Sequence, residues 1–284
     1  MQYGIVLPNM GLVGDVRTLT ELACEVEKAG WDGFFLWDTL HYLADGETVY
    51  DPWITLTSIA TQTKRIRIGT MVTPLTRRRP WNLARETVTL DHISQGRLIL
   101  GVGLGDVSDK GFTAFGEVTD AKQRAAMLDE GLEILTGLWS GQPFSYQGKH
   151  YQVSEITFLP PPVQSPRIPI WVGGYWPRKG PLRRAARWDG IHPGKINADG
   201  LISALAPSDV QAIKTFIEQH RTSTLPFDIV VEGETPTNND EQARKYLKTF
   251  REAGATWWLE HVNLKQGGVQ ALYERIQQGP PETD

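Results

Sequence analysis

The chain has 284 residues, 40% of them hydrophobic, and a formal net charge of −4 at pH 7. This balance gives no electrostatic reason to expect nucleic acid or an anionic membrane as a partner. The single cysteine, Cys24, excludes an internal disulfide framework and a cysteine-based zinc site, and its apolar surroundings predict a buried small residue. With no basic leader pattern and no apolar stretch of about 18 residues, we expect a cytoplasmic protein.

Strand-like and helix-like segments alternate over the first half of the chain. Apolar runs predict strands at 3–8, 33–38, 65–74 and 97–106. Helices are predicted at 16–29, 52–63, 80–96 and 121–139, and Asp51 before Pro52 suits a helix N-cap followed by proline at the first helical position. This alternation implies parallel strands joined by right-handed crossovers.

The second half repeats the alternation after one interruption. Two short runs around Gly148 predict a hairpin at 144–153, followed by a proline-rich connection at 160–166. Strands are then predicted at 168–174, 190–193, 227–232 and 255–262, with helices at 182–187, 208–221, 241–253 and 269–277. The sequence therefore predicts an α/β fold, a single (β/α)8 TIM barrel over residues 1–284 with a β-hairpin insertion between the fourth helix and the fifth strand. The alternative is a doubly wound open sheet, which normally needs fewer strands.

Alternate glycines mark the end of the fourth predicted strand. Because successive side chains of a strand alternate faces, Gly101, Gly103 and Gly105 would clear one face over roughly 14 Å of backbone. Such glycines indicate the close approach of another group, and we interpret that group as a flat ligand. The alternative is tight packing at a barrel corner.

Functional groups of such barrels lie at the C-terminal strand ends and in the loops that follow. The aromatic residues Trp37, Trp53 and Trp176 lie in or beside these loops, so the predicted site suits a planar aromatic ligand. The rule selects Asp38, His41, Met71 to Thr73, Gly103 to Asp106, Gly173 to Tyr175, His192, and Glu260 or His261.

Several motifs carry a resemblance to a known family. They are Gly30-Trp31-Asp32-Gly33-Phe34-Phe35-Leu36-Trp37-Asp38, Arg67-Ile68-Gly69-Thr70-Met71-Val72-Thr73-Pro74, residues 83–91, residues 94–105, and Pro169-Ile170-Trp171-Val172-Gly173-Gly174. In this order the chain resembles the bacterial luciferase-like flavin-dependent oxidoreductases, also called luciferase-like monooxygenases. The resemblance spans most of residues 1–190.

The resemblance implies a cofactor at the barrel mouth, either FMN or the 8-hydroxy-5-deazaflavin coenzyme F420. It implies a ring over strands three and four and a non-prolyl cis peptide at Met71-Val72 or the next bond. The cofactor phosphate is expected near the amides of Gly174 and Tyr175, where Arg178 and Lys179 are either partners or solvated surface charges. The implied cofactor-binding residues are Asp38, Met71, Val72, Thr73, Gly103, Gly105, Gly173, Gly174 and Tyr175.

One departure from the family pattern follows the second strand. The family often has an Asp-His pair there, with the histidine placed for proton transfer in some deazaflavin members. Here Thr39 takes the histidine place and His41 lies two residues further on. His41 and Asp38 remain the candidate catalytic residues, and the alternative role for Asp38 is a helix cap or an ion pair.

The run Arg77-Arg78-Arg79 stands before a helix that begins at Pro80. Cations there oppose the helix dipole, so a compensating anion is expected: a cofactor phosphate, an acidic substrate, an acidic cofactor tail or a partner subunit. The alternative is a solvated surface run.

The preferred functional hypothesis is that reduced FMN, supplied by a separate flavin reductase or reduced in place, reacts with oxygen to oxygenate a small organic substrate. The alternatives are deazaflavin-dependent hydride transfer, a non-catalytic flavin-binding protein, and a phosphate-binding lyase or isomerase. A homodimer is expected from the family.

Overall fold

The computed structural model describes residues 1–13, 15–42, 48–236, 240–262 and 268–281. Part of the predicted loop at 39–50 lies outside these ranges. The strands are β1 (Gln2–Leu7), β2 (Gly33–Leu36), β3 (Arg67–Pro74), β4 (Leu98–Gly103), β5 (Phe144–Gln147), β6 (Gln152–Ile156), β7 (Ile170–Trp176), β8 (Gly190–Ile196), β9 (Ile202–Ser203), β10 (Asp228–Gly233) and β11 (Trp257–His261). The helices are α1 (Val16–Lys28), α2 (Pro52–Gln62), α3 (Pro80–Ile93), α4 (Lys110–Thr113), α5 (Ala121–Trp139), α6 (Lys179–Ala185), α7 (Pro207–His220), α8 (Asp240–Ala253) and α9 (Gly268–Gln277).

Eight parallel strands close into a barrel. Their order is β10-β11-β1-β2-β3-β4-β7-β8, and a pairing of β8 with β10 joins the two ends. The barrel prediction is therefore confirmed, and the open sheet is excluded. The antiparallel pair β5 and β6 lies between α5 and β7.

Local signals in the sequence account for the helix starts. Asp51 caps α2 by accepting hydrogen bonds from the amides of Trp53 and Ile54, with Pro52 at the first helical position, as predicted. Asp15 caps α1 in the same way, through the amides of Arg17 and Thr18. Each cap satisfies amides that the helix itself leaves free, which contributes about 1 kcal/mol.

The barrel interior is a separate, largely aromatic core. Inward side chains fill it, and Phe35, Trp171 and Trp257 meet with ring centroids 5.3–5.8 Å apart. Full burial of side chains of this size contributes on the order of 2–3 kcal/mol each. Trp37 and Val72 pack on top of this core, so they form the floor of whatever lies at the mouth. The interior residues are Val6, Phe35, Met71, Ile99, Trp171, Val230, Trp257 and Leu259.

Some details differ from the sequence-based expectation. β8 runs three residues further than predicted, to Ile196, and continues into the short antiparallel strand β9. Cys24 is only half-buried, because it lies at the edge of the α1 face and its thiol points toward the carbonyl of Gln62. Among the described residues, no helix is long and apolar enough to cross a membrane.

Candidate active site

A cavity of about 530 Å³ opens at the C-terminal ends of the barrel strands. This size lies within the range of small-molecule sites. Of the three predicted aromatic residues, Trp37 lines it, together with Tyr42 and Tyr175, whereas Trp53 is buried elsewhere. The lining residues predicted from the sequence are Asp38, Met71, Val72, Gly103, Leu104, Gly105, Asp106, Gly173, Gly174, Tyr175 and His192.

A bulge in β3 shapes the cavity floor. The register between β3 and β4 shifts between Thr70 and Thr73, and the peptide bond Met71-Val72 is cis, at the position predicted. The bulge directs Val72 between two neighbouring strands: a Cβ on Gly103 would lie 2.7 Å from one Val72 methyl carbon, and a Cβ on Gly173 would lie 3.1 Å from the other. The two glycines therefore make room for Val72.

The predicted glycine-cleared face is filled by the protein itself. A Cβ on Gly101 would collide with the carbonyl oxygen of Thr70. Gly105 has left the strand, with a φ of +74°, and a Cβ there would meet Phe112 and Pro74. The expectation that a flat ligand lies along this glycine face is therefore wrong, because the bulged β3 and the loop after β4 occupy the space. Gly103 and Gly105 border the cavity nevertheless, and their cofactor role remains a prediction.

Buried ion pairs connect the loops after β2, β3 and β4. Asp38, whose side chain is fully buried, accepts hydrogen bonds from the hydroxyl of Thr73 (2.9 Å) and from Arg78 (3.0 Å). Arg77 reaches Asp38 at 3.4 Å and Asp109 at 2.7 Å. The expected anion beside the arginine run is therefore present within the chain itself, and neither an external anion nor a solvated run describes Arg77 and Arg78. Thr73 supports Asp38 and does not line the cavity.

Asp109, which the sequence analysis missed, is the centre of this network. Its carboxylate accepts from the Thr39 hydroxyl, from the amides of Leu40 and His41, and from the amide of Gly111, at 2.8–3.0 Å. Burial raises the pKa of Asp109, but the hydrogen bonds from Leu40, Arg77 and Gly111 outweigh burial and lower it to about 2. Its position before a short helix, as an N-cap, is the signal that could have identified it.

His41 lies in the segment that Asp109 holds. Its backbone amide donates to Asp109, and its carbonyl accepts from the amide of Lys110 at 3.0 Å. His41 is not among the described residues that line the cavity, whereas its neighbour Tyr42 is. The hydroxyl of Tyr42 donates a hydrogen bond to the carboxylate of Asp106 at 3.2 Å. The catalytic role of His41 remains a prediction.

At the end of β7, Arg178 and Lys179, the two cations expected near the cofactor phosphate, have different surroundings. Pairing of β7 with β4 reaches Val172, whereas pairing with β8 continues to Trp176. Lys179 lies over the rings of Trp176 and Phe216, 4.4 and 4.7 Å from their centroids. Arg178 lines the cavity, is exposed, and takes part in none of the salt bridges of the described residues. Arg178 is therefore a cation available to an anion bound here.

Three titratable side chains meet at the mouth ends of β8, β10 and β11. Glu232 of β10 accepts from His192 of β8 through Nε2 and from His261 of β11 through Nδ1, each at 3.1 Å. Burial raises the pKa of Glu232, but the two histidines lower it to about 2. The hydrogen bond to Glu232 raises the pKa of His261. We call His192, Glu232 and His261 the histidine–glutamate cluster.

The sequence alternative of Glu260 or His261 is resolved by the alternation of the strand. Glu260 points outward and is buried, accepting from the amide and hydroxyl of Thr235 and from the indole of Trp258. It therefore has a structural role, and His261 is the residue at the mouth. The sequence analysis missed Glu232. Its inward position is indicated by Val230, an interior residue two positions earlier, because side chains two residues apart on a strand share a face.

The fold is a closed parallel barrel with a largely apolar cavity at its mouth, and comparison with known proteins gives its family. The profile of the luciferase-like monooxygenase family matches residues 1–280, so the chain belongs to this family. The predicted resemblance is thereby confirmed.

Individual relatives give further context. An F420-dependent glucose-6-phosphate dehydrogenase of Microbacterium testaceum is 33% identical over 163 residues, which cover 56% of this chain and 47% of that protein. One from Nakamurella multipartita is 30% identical over 235 residues, covering 79% and 65%. The chain thus spans about half the length of the curated relatives it matches first. The solved structure of an F420-dependent secondary alcohol dehydrogenase with an F420-acetone adduct has a TM-score of 0.80 at 18% identity, covering 99% of this chain and 98% of that chain.

Proposed function

We propose that this protein is an oxidoreductase that transfers hydride between coenzyme F420 and a small organic substrate. The observation that carries the proposal is the apolar cavity above the Met71-Val72 bulge, in a chain that matches F420-dependent dehydrogenases. These relatives favour the deazaflavin alternative over the FMN and oxygen hypothesis first preferred from the sequence. An FMN-dependent monooxygenase remains the second candidate, since the same cavity suits either planar ring.

The residues present fit such a cofactor. Met71, Val72 and Trp37 form an apolar floor on the barrel core, which suits one face of a flat ring. Arg178 supplies an exposed guanidinium at the edge of the cavity, which suits a phosphate. The backbone of Gly103, Gly173 and Gly174 borders the space between them.

When bound, the deazaflavin accepts or donates a hydride at its ring, and the chain supplies binding, orientation and exclusion of water. Val72 is held between Gly103 and Gly173, so the floor is fixed before a ligand arrives. Preorganised contacts of this kind lower the cost of positioning two reactants. The carboxylate of Asp38 accepts hydrogen bonds from Thr73, Arg77 and Arg78, so Asp38 acts as a positioning residue for the loops around the cavity floor.

The cofactor assignment is tested by binding. Purified protein is titrated by isothermal calorimetry with F420, with FMN, and with 8-hydroxy-5-deazariboflavin, which has the same ring but no phosphate. We expect F420 to bind more tightly than FMN. Binding of FMN with no affinity for F420 would contradict the proposal and favour the FMN-dependent monooxygenase instead.

Arg178→Gln tests the phosphate contact. We expect about tenfold weaker F420 binding, corresponding to a charge-assisted hydrogen bond of about 1.4 kcal/mol, and unchanged binding of 8-hydroxy-5-deazariboflavin. The matched control is Arg183→Gln, which removes an exposed guanidinium of α6, the helix that follows Arg178, outside the cavity. Equal losses for both ligands would show that Arg178 does not bind the phosphate.

A further inference from the structure

The histidine–glutamate cluster is the top inward layer of three adjacent barrel strands. Val230 and Leu259 lie in the interior core, and Glu232 and His261 follow them by two residues, on the same faces. On β8 the inward positions His192 and Gly194 both line the cavity. The cluster therefore stands directly on the rigid core, and it connects the cavity with the solvent side of the mouth.

The exposed fraction of the three side chains of the cluster increases from the cavity outward. The side chain of His192, which lines the cavity, is 17% exposed, that of Glu232 is 25% exposed and that of His261 is 38% exposed. His192 pairs in register with Gly173, where an added Cβ would lie 3.1 Å from Val72 of the cavity floor. His192 therefore belongs to the same cavity as the proposed ring platform.

We propose that His192 is the residue that exchanges a proton with the substrate, and that Glu232 and His261 position it. This inference rests on the proposed function. It assigns to β8 the proton-transfer role that some deazaflavin members of the family place after the second strand, because Thr39 occupies that histidine place here and donates its hydroxyl to Asp109.

The hydrogen bonds fix which ring nitrogen is available. The carboxylate of Glu232 accepts from Nε2 of His192, so the neutral imidazole carries its proton there and leaves the lone pair of Nδ1 for a substrate hydroxyl. A base oriented by a third group is the arrangement that general acid–base catalysis requires. Glu232 also stabilises the imidazolium that forms on His192, and His261 holds the second carboxylate oxygen.

The reaction balances as an alcohol oxidation. The C–H bond of the alcohol carbon would break and its electron pair would leave with the hydrogen as hydride, for which a bound deazaflavin would be the acceptor. The O–H bond breaks as its proton passes to Nδ1 of His192, and the C=O bond forms. In the reverse direction the same nitrogen donates the proton to the carbonyl oxygen.

The surroundings favour an uncharged alcohol with an apolar body. Glu232 is an anion directly behind His192, so it would repel a phosphorylated substrate bound against this histidine. The cavity-lining residues Tyr42, Val107 and Ile202 are 39%, 39% and 68% exposed. An apolar rim of this kind suits a hydrophobic substrate.

The first test measures the cluster without any substrate or cofactor. Nitrogen NMR of the imidazoles is feasible because the chain has 6 histidines. We expect neutral His192 to be protonated at Nε2, and Glu232→Gln to change the imidazole nitrogen chemical shifts of both His192 and His261 while leaving those of His220 unchanged. A neutral His192 protonated at Nδ1, or nitrogen chemical shifts of His192 that do not move in the variant, would overturn the proposal.

The second test measures turnover and separates this inference from the proposed cofactor. Wild type, His192→Gln and the control His220→Gln are titrated with F420 and assayed with cyclohexanol, 2-butanol and 1-hexanol, with glucose 6-phosphate as an anionic comparison. We expect equal F420 affinity in all three and at least a 100-fold lower kcat in His192→Gln. Turnover of His192→Gln within threefold of wild type overturns the role of His192.

Two further outcomes are decisive. Tight F420 binding by the wild type with turnover of glucose 6-phosphate alone, or of no alcohol, overturns this inference and leaves the cofactor proposal standing. Failure of the wild type to bind F420 overturns the proposed function itself. A pH profile of kcat that shifts in Glu232→Gln, with F420 affinity unchanged, is the expected signature of its positioning role.

Discussion

The substitution Asp109→Asn removes the charge at the centre of the loop network. Among the described residues, the carboxylate of Asp109 accepts hydrogen bonds from five donors: Arg77 at 2.7 Å, the Thr39 hydroxyl, and the amides of Leu40, His41 and Gly111. An asparagine amide group would turn one of its own donors toward them and leave Arg77 without its shorter ion pair. We therefore expect the loops after β2 and β4 to separate from each other.

The magnitude follows from the burial and from the pKa. Lowering the pKa of Asp109 from 3.8 to about 2 corresponds to about 2 kcal/mol of stability above pH 3.8. Breaking a buried ion pair on one side costs about 3–5 kcal/mol, because the remaining charge loses its partner. The side chains of Arg77 and Asp109 are only 4% and 5% exposed, so the larger range applies.

The assay is urea unfolding followed by far-ultraviolet circular dichroism, with Asp106→Asn as the control. Asp106 lies in the same loop, is exposed, and accepts only from Tyr42 and the amide of Ser108 among the described contacts. We expect the control to lose less than about 1 kcal/mol. Equal stability of the two variants at pH 7 would refute the reasoning.

The pH dependence gives an independent check of sign. A carboxylate with a lowered folded pKa contributes stability above its unfolded pKa and loses it as pH falls through the folded value. The gap between wild type and Asp109→Asn should therefore be constant above pH 3.8 and narrow toward about pH 2. A gap that widens on acidification would contradict the assignment of the effect to this charge.

Two further predictions concern the cavity floor and the mouth. Gly103→Ala places a Cβ 2.7 Å from a methyl carbon of Val72, so we expect about 1–3 kcal/mol of destabilisation from overpacking, relieved in the double variant with Val72→Ala and measured by urea unfolding in a double-mutant cycle. Additive losses would show that the two side chains do not meet. His261 has a pKa raised by Glu232, so its contribution is complete below pH 6.5 and fades as pH rises through the folded value. Thermal unfolding should show the gap between wild type and His261→Gln shrinking from pH 5.5 to pH 8.5, and a constant gap would argue against this pairing.

The fold was predictable because its signals are local. Apolar runs with period 2, helical spacing, and caps such as Asp51-Pro52 each act within a few residues, and their repetition leaves few topologies. The short antiparallel strand β9 has only two residues, too few for a pattern to show. The cis peptide at Met71-Val72 was predictable only through the family resemblance.

The site was less predictable because its contacts are long-range. Arg77 meets Asp109 across 32 positions, and His192 meets Glu232 across 40, so neither pair shares a local pattern. The sequence presented the arginine run as a cation patch in need of an external anion, whereas tertiary packing brings Asp38 and Asp109 to it. The prediction of a ligand beside the glycines of β4 was wrong for the same reason, since the group that approaches Gly103 is the Val72 side chain from a neighbouring strand.

The aromatic barrel interior has an optical consequence. Trp171 and Trp257 are fully buried beneath the cavity floor, and Trp37 packs on the same cluster while lining the cavity. Flavins and deazaflavins absorb light in the range where tryptophan emits. A bound ring above Val72 would therefore quench these indoles by energy transfer, so the protein carries an intrinsic emission sensor for occupancy of its own mouth.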